Sequence, residues 1–174
     1  MTEGVAGPAA RELAAEVLAL LSRSGRTLAV AESLTGGLVA AALTDVPGSS
    51  VAFRGGVVAY ATELKAELLG VDAAMLAAHG PVYPPVAAAM AAGVRARLGA
   101  TVGAATTGVA GPGPQDGQPA GTVHIAVSFP GGAEEGDETV VSSIALTGDR
   151  DQVRRLTVER VLGLLLGRLR EECP

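Results

Sequence analysis

The chain is 174 residues long and carries 13 Lys and Arg against 18 Asp and Glu, a formal net charge of −5. That length suits one domain with its own core. That charge excludes a general electrostatic attraction to nucleic acid. Hydrophobic residues make up 48% of the chain but aromatics only 2%, with no Trp, so the core must be built from small and branched aliphatics, with glycine allowing close backbone approach.

The single cysteine, Cys173, stands beside the C-terminus, which excludes an intrachain disulfide framework. A thiol in a chain end is a poor catalyst. The N-terminal stretch MTEGVAGPAARELAAE lacks the basic and apolar regions of a signal peptide. Apolar runs are broken well short of a membrane span. A soluble, cytoplasmic protein is expected, with no membrane partner.

The first predicted element is a helix from Pro8 to about Arg23, with Leu13, Val17, Leu20 and Leu21 three or four apart. A buried strand follows over Thr27–Ala31 and runs into Glu32-Ser33-Leu34-Thr35-Gly36-Gly37. The stretch LVAAALTDV returns to helical spacing, with Thr35, Gly36 and Gly37 at its start. Gly55–Ala61 reads as a second strand. Helices are expected from about Glu63 to Leu69, Asp72 to Ala78 and Pro85 to Leu98. Thr101–Thr106 is a third strand, and a Gly- and Pro-rich loop spans Gly108–Gly121. Strands at Thr122–Phe129 and Thr139–Leu146 flank the turn PGGAEEGDE as a hairpin. A last helix runs from about Asp149 to Arg170. This order implies a single layered α/β domain with helices on both faces of a mixed sheet.

Ser33 follows a buried strand and precedes a helix, and such turns lie at the carboxyl edge of a sheet where α/β sites form. The amides of Thr35, Gly36 and Gly37 would be donors at the positive end of a helix, able to hold an oxyanion or an anionic group. The same residues also read as an ordinary N-cap. A serine nucleophile needs a base. Only two histidines are available: His79 at a helix end and His124 in mid-strand, both better read as structural. Lys65 is the only lysine, with Tyr60 five residues before it. A Lys in a partly desolvated cleft can be neutral near pH 7, and a Tyr hydroxyl can relay a proton. Equally, Lys65 could lie along the surface with its charge in water. Thr106, Thr107 and Gly108 could offer hydroxyl and amide donors on the same sheet edge. The two prolines in GVAGPGP exclude a dinucleotide-binding helix start, and no metal-ligand spacing appears. Arg150, Arg154, Arg155, Arg160, Arg168 and Arg170, mixed with acidic residues, read as a solvated helix face.

Three stretches in order, AESLTGG, GGVVAYATELKAELLGV and ATTGVAGPGPQDGQPAGTVHIAV, resemble the C-terminal domain of the CinA competence/damage-inducible proteins. Stand-alone members of that family include the PncC-like nicotinamide mononucleotide deamidases. The resemblance covers residues 10 to 169. It implies a three-layer α/β/α sandwich, a homo-oligomer of two or more copies, and a small-molecule nucleotide substrate whose carboxamide is hydrolysed without metal or cofactor. It places the catalytic roles on Ser33, Tyr60 and Lys65. It places substrate contacts on Thr106, Thr107 and Gly108, and a phosphate contact on Arg150, which thereby leaves the solvated group. The chain departs from the family at Leu34, where Cys is frequent, and at Ala61-Thr62, where Ser-Asn is frequent. Further departures are Tyr83-Pro84-Pro85, where a Ser-Glu pair is common, and Gln118, where Lys is common. An amidase for another small amide and a non-catalytic nucleotide-binding module are the alternatives.

Overall fold

A computed structural model describes residues 6–131 and 136–172. Cys173 and part of the PGGAEEGDE turn lie outside the described residues. The elements in chain order are α1 (Pro8–Arg23), β1 (Leu28–Glu32), α2 (Leu38–Thr44), β2 (Phe53–Val58), α3 (Thr62–Leu69), α4 (Ala73–His79), α5 (Pro84–Leu98), β3 (Val102–Gly108), β4 (Thr122–Phe129), β5 (Glu138–Ala145) and α6 (Arg150–Glu172). One unexpected element, a short 3-10 turn at Ser49–Val51, leads into β2.

The sheet has five strands in the order β2-β1-β3-β4-β5. β1 runs parallel to both β2 and β3, while β3-β4 and β4-β5 are antiparallel. The mixed sheet is therefore parallel on the side of Ser33 and closes as a meander on the other, as the predicted hairpin requires. Side-chain alternation divides the core in two. Leu28, Val30, Val102, Ala104, Val123, Ile125 and Val127 join residues of α1, α2 and α6. Ala29, Ala31, Ala105 and Ala126 join residues of α3, α4 and α5. This is the expected three-layer α/β/α arrangement in one domain.

The second layer is thin because the sheet presents alanine and glycine there. A Cβ on Gly103 would lie 2.1 Å from the Ala91 carbonyl oxygen of α5, and one on Gly93 would lie 1.9 Å from the Leu69 carbonyl oxygen at the end of α3. No real Cβ contact is that short, so α5 rests directly on β3 and against α3 only because both positions lack a side chain.

Three element boundaries differ from expectation in ways that matter to the site. β2 begins two residues early, at Phe53, and ends at Val58, so Ala59, Tyr60 and Ala61 form a turn into α3. β3 runs on through Thr107 and Gly108, because these pair with His124 and Val123 of β4; they belong to the strand end, not to the loop. α2 starts at Leu38 rather than at Thr35. Gly36 (φ 60°) and Gly37 (φ 100°) hold left-handed conformations that glycine adopts without penalty and that interrupt a helix.

The close approach at Gly103 can be tested against a glycine with open surroundings. Gly103→Ala should lower unfolding free energy by about 1–3 kcal/mol through overpacking. Gly163→Ala, inside α6 with nothing near its would-be Cβ, should raise it by about 0.5–1 kcal/mol. Urea denaturation midpoints measure both; equal effects would remove the packing argument.

Candidate active site

The last residue of β1, Glu32, is 1% exposed and points toward the start of α2. Its carboxylate accepts the amides of Gly37 (2.9 Å), Val39 (3.1 Å) and Ala40 (2.8 Å). It thus occupies the donors that a helix start leaves without partners, and its negative charge meets the positive end of the helix. A carboxylate at the end of an otherwise apolar strand, just before a glycine-rich helix start, is the sequence signal for such a cap.

Between Glu32 and α2 the chain makes a tight turn. The Ser33 amide donates to the Thr106 carbonyl (3.0 Å), extending the β1-β3 pairing, and the Ser33 carbonyl accepts the Gly36 amide (3.0 Å). The hydroxyls of Thr35 and Thr106 bond to each other at 2.7 Å in a buried contact. Gly36 and Gly37 therefore give their amides to Ser33 and Glu32 and cannot serve as the oxyanion donors expected of them. Among the described residues the amides of Leu34 and Thr35 have no such acceptor.

Lys65, one turn into α3, is 1% exposed. Its Nζ donates to the Ala59 carbonyl at 2.8 Å and to the Tyr60 carbonyl at 3.4 Å. Burial lowers its pKa to about 8, while the carboxylates of Glu63 and Asp116 pull in the opposite direction. Two of the three Nζ positions are thus held by backbone, and the third is the one from which a proton can be exchanged. The lysine is not the surface-snorkelling residue that was its alternative reading.

The Tyr60 side chain is 57% exposed. Its hydroxyl accepts from Arg150 Nη2 (2.8 Å), and Arg150 Nη1 donates to the Gly111 carbonyl (3.0 Å). Arg150, the first residue of α6, thereby joins the β2-α3 turn to the Gly- and Pro-rich loop. Thr107 donates its hydroxyl to the Pro81 carbonyl (2.8 Å), which fixes the segment before α5 against β3.

These groups surround one pocket with about 430 Å³ of empty space, part of it open to solvent, lined by Ser33, Leu34, Tyr60, Thr62, Lys65, Pro81, Val82, Thr107, Gly108, Ala110, Gln115 and Arg150. It lies at the carboxyl ends of the parallel strands, where open α/β sheets place their ligand sites. Of the residues singled out in the sequence, Ser33, Tyr60, Lys65, Thr107, Gly108 and Arg150 line it. Thr35, Gly36, Gly37 and Thr106 do not; they support the turn from behind. Gln115, Pro81 and Val82 were missed because the Gly- and Pro-rich loop and the GPVYPPVA segment carry no periodicity that predicts which side chains turn inward. Gln115 is presented by a tight turn, paired through backbone bonds with Gln118 in both directions.

His124 is outside the pocket. It is nearly buried, bonds through Nδ1 to the Ser143 hydroxyl at 2.9 Å, and has its pKa lowered by burial. His79 stacks on Tyr83 with ring centroids 4.4 Å apart. Both keep the structural roles expected of them. The late arginines divide: Arg155, Arg168 and Arg170 form ion pairs with Asp151, with Glu138 and Glu171, and with Glu16, as a solvated face does. Arg154 does not. Its Nε donates to the Leu34 carbonyl (3.0 Å) and its Nη2 to the Thr35 carbonyl (2.8 Å).

The serine turn, the buried lysine and Arg150 thus meet at one strand edge of an open mixed α/β sheet. Residues 10–169 match the CinA C-terminal domain family, and the chain belongs to it. A CinA-like protein of Frankia casuarinae is 57% identical over 93% of the chain, and one of Parasynechococcus marenigrum is 52% identical over 90%. The chain spans only 36% and 37% of those proteins' own lengths. Two crystal structures of similar length superpose closely. The competence damage-inducible protein A of Klebsiella pneumoniae gives a TM-score of 0.86 at 36% identity, covering 92% of this chain and 97% of that one. The competence/damage inducible protein CihA of Agrobacterium tumefaciens gives 0.87 at 32% identity, covering 96% and 98%. No helix among the described residues is long and apolar enough to cross a membrane.

Glu32→Gln should destabilise the protein by about 1–3 kcal/mol, since its amide group turns a donor toward amides that need acceptors. Glu12→Gln, on the exposed side of α1, should change stability by less than about 0.5 kcal/mol. Chemical denaturation of the two variants measures the difference.

Proposed function

We propose that this domain is an amidohydrolase that converts nicotinamide mononucleotide to nicotinate mononucleotide and ammonia. The observation that carries the proposal is the chain's only lysine, buried in the wall of the pocket that holds Ser33. A buried Lys at the edge of neutrality is a suitable base for a serine when no histidine is near.

In the reaction, neutral Lys65 takes the Ser33 Oγ proton as Oγ attacks the carboxamide carbon. The tetrahedral oxyanion is held by the amide of Leu34, which lines the pocket and is left without an acceptor in the turn. The carbon–nitrogen bond then breaks, and ammonia leaves with the proton that Lys65 carries. Water attacks the resulting ester on Ser33, giving one proton to Lys65. Lys65 returns it to Ser33 as the carboxylic acid departs. The transfer is taken as direct rather than relayed through Tyr60, because the Tyr60 hydroxyl is engaged by Arg150. Arg150, exposed and cationic at the pocket mouth, is suited to the substrate phosphate, with Thr107 and Gly108 beside the reacting end.

A second reading, hydrolysis of a different small carboxamide, is favoured by one observation. Pro81 and Val82, from the segment that departs from the family, form a wall of the pocket. A panel of primary carboxamides decides between the two.

Ammonia release from nicotinamide mononucleotide should be readily measured for the parent and fall by at least about 10³-fold in Ser33→Ala and Lys65→Ala. Undiminished turnover in Ser33→Ala would remove the serine from the mechanism. The base must be unprotonated, so kcat/KM should rise with pH through about 8 and level above it. Asp116→Asn removes a carboxylate that raises the Lys65 pKa. It should move that rise to lower pH, and Asn tolerates the left-handed φ of 51° at this position. A pH profile unchanged by Asp116→Asn would detach the rise from Lys65.

A further inference from the structure

The structure assigns Arg154 as a positioning residue: its guanidinium fixes the turn that presents the oxyanion-binding amide of Leu34. This rests on the amidohydrolase reading above and deepens it. Arg154 is half-buried on α6 and reaches across to the Ser33 turn. There Nε and Nη2 donate to the successive carbonyls of Leu34 (3.0 Å) and Thr35 (2.8 Å).

The consequence follows from the peptide bond itself. In a trans peptide the C=O and the N–H of the same plane point in opposite directions. The plane that gives its carbonyl to Arg154 as Leu34 C=O carries the Thr35 N–H on its other edge. Fixing the Leu34 carbonyl therefore directs the Thr35 amide away from Arg154. Thr35 itself is buried behind the pocket, so this plane anchors the turn rather than meeting a ligand. The next plane behaves in the same way: the Thr35 carbonyl is held by Arg154, and its Gly36 amide closes the turn onto the Ser33 carbonyl. The Ser33 carbonyl carries the Leu34 N–H on the other edge of its own plane, and Leu34 lines the pocket. A cation on a carbonyl also polarises the peptide and makes its N–H a stronger donor.

Two further observations fit a dedicated contact. A Cβ on Gly36 would lie 3.3 Å from Arg154 Nη2, so the bare backbone leaves room for the guanidinium. Arg154 also stands four residues after Arg150, hence on the same face of α6. One helix face thus supplies Arg150 to the pocket mouth and Arg154 to the turn behind the serine. A lysine can also meet two successive carbonyls, as Lys65 does, but only the guanidinium holds them with donors in a rigid fork.

The test compares Arg154→Met and Arg154→Lys with the parent in nicotinamide mononucleotide turnover, thermal melting and inactivation by phenylmethylsulfonyl fluoride. In that inactivation an Oγ–S bond forms at Ser33, the S–F bond breaks, fluoride leaves and the serine proton goes to Lys65. The inactivation reports the turn's competence without reference to the natural substrate. Arg154→Met should lower kcat by about 10- to 100-fold, less than the roughly 100- to 1000-fold of an outright lost oxyanion donor because the amide is misdirected rather than removed. KM should change by less than about twofold, the pH midpoint should stay in place because Lys65 is untouched, and sulfonylation should slow by the same factor. Arg154→Lys should be intermediate and serves as the test variant if Arg154→Met does not fold. Unchanged kcat, a rise in KM alone, or a loss matched by the unfolded fraction would overturn the assignment. A parent that is sulfonylated at Ser33 but does not turn over nicotinamide mononucleotide would overturn the substrate and not the role of Arg154, if Arg154→Met still slows sulfonylation. A parent showing neither reaction would overturn both.

Discussion

A buried carboxylate sets the geometry on which the pocket depends. Glu32 ends β1 with three backbone amides of the α2 start bonded to its two oxygens. Leaving a charged group in the interior without such partners costs several kcal/mol, so the turn between Glu32 and Gly37 has little freedom. Ser33 sits within it, its own amide tied to β3. The carboxylate takes the amides of the first helical turn for structure. What chemistry remains at this strand edge must use the amides inside the turn. Glycine at 36 and 37 supplies the left-handed backbone that brings the chain from Ser33 to the carboxylate in so few residues.

The same turn is held from a second side by a second charge. Arg154 donates to the carbonyls of Leu34 and Thr35, while Thr35 and Thr106 lock hydroxyl to hydroxyl beneath. An anion gathers the N–H groups on one side of the turn and a cation gathers C=O groups on another. This arrangement orders backbone dipoles without filling the pocket with side chains. The pocket itself then needs only a few polar groups, and its one strongly buried cation is Lys65.

Much of the fold was legible in the sequence because period and punctuation were clear: alternating or continuous apolar runs bounded by Gly and Pro gave every strand, and the helices ended close to their predicted limits. Boundaries slipped where a single tertiary bond decided them. β2 ends at Val58 as the chain turns into α3, where the Ala59 and Tyr60 carbonyls become acceptors for Lys65. Thr107 and Gly108 stay in β3 because β4 pairs with them. In the candidate site, Ser33, Lys65 and Arg150 were found through motif order and the scarcity of alternatives. Glu32 and Arg154 were missed for opposite reasons. Glu32 had a local signal, an acid at a strand end before a glycine-rich helix start. Arg154 had only its spacing from Arg150, and nothing local distinguishes an arginine that bonds a distant carbonyl from one that pairs with a nearby acid, as Arg155 does with Asp151.

The small-residue composition, which by itself says nothing of function, acquires a role through Lys65. α3 is held by the approach of its last carbonyl to Gly93, and α5 by the approach of its Ala91 carbonyl to Gly103. The α3 end is also closed by the Val71 amide on the Lys65 carbonyl at 3.1 Å. The layer is thin enough that a lysine one turn from that end is removed from water with its ammonium against two backbone carbonyls. Burial lowers its pKa to about 8 against the pull of Glu63 and Asp116. A side chain at position 93 or 103 would lift α5, admit water to Lys65 and return its pKa toward the ordinary lysine value. Tight Ala and Gly packing on this face thus goes with the burial that lowers the pKa of the chain's only lysine. A bulkier core with the same Ser33, Tyr60 and Lys65 would keep the motif and weaken the burial that lowers the lysine's pKa.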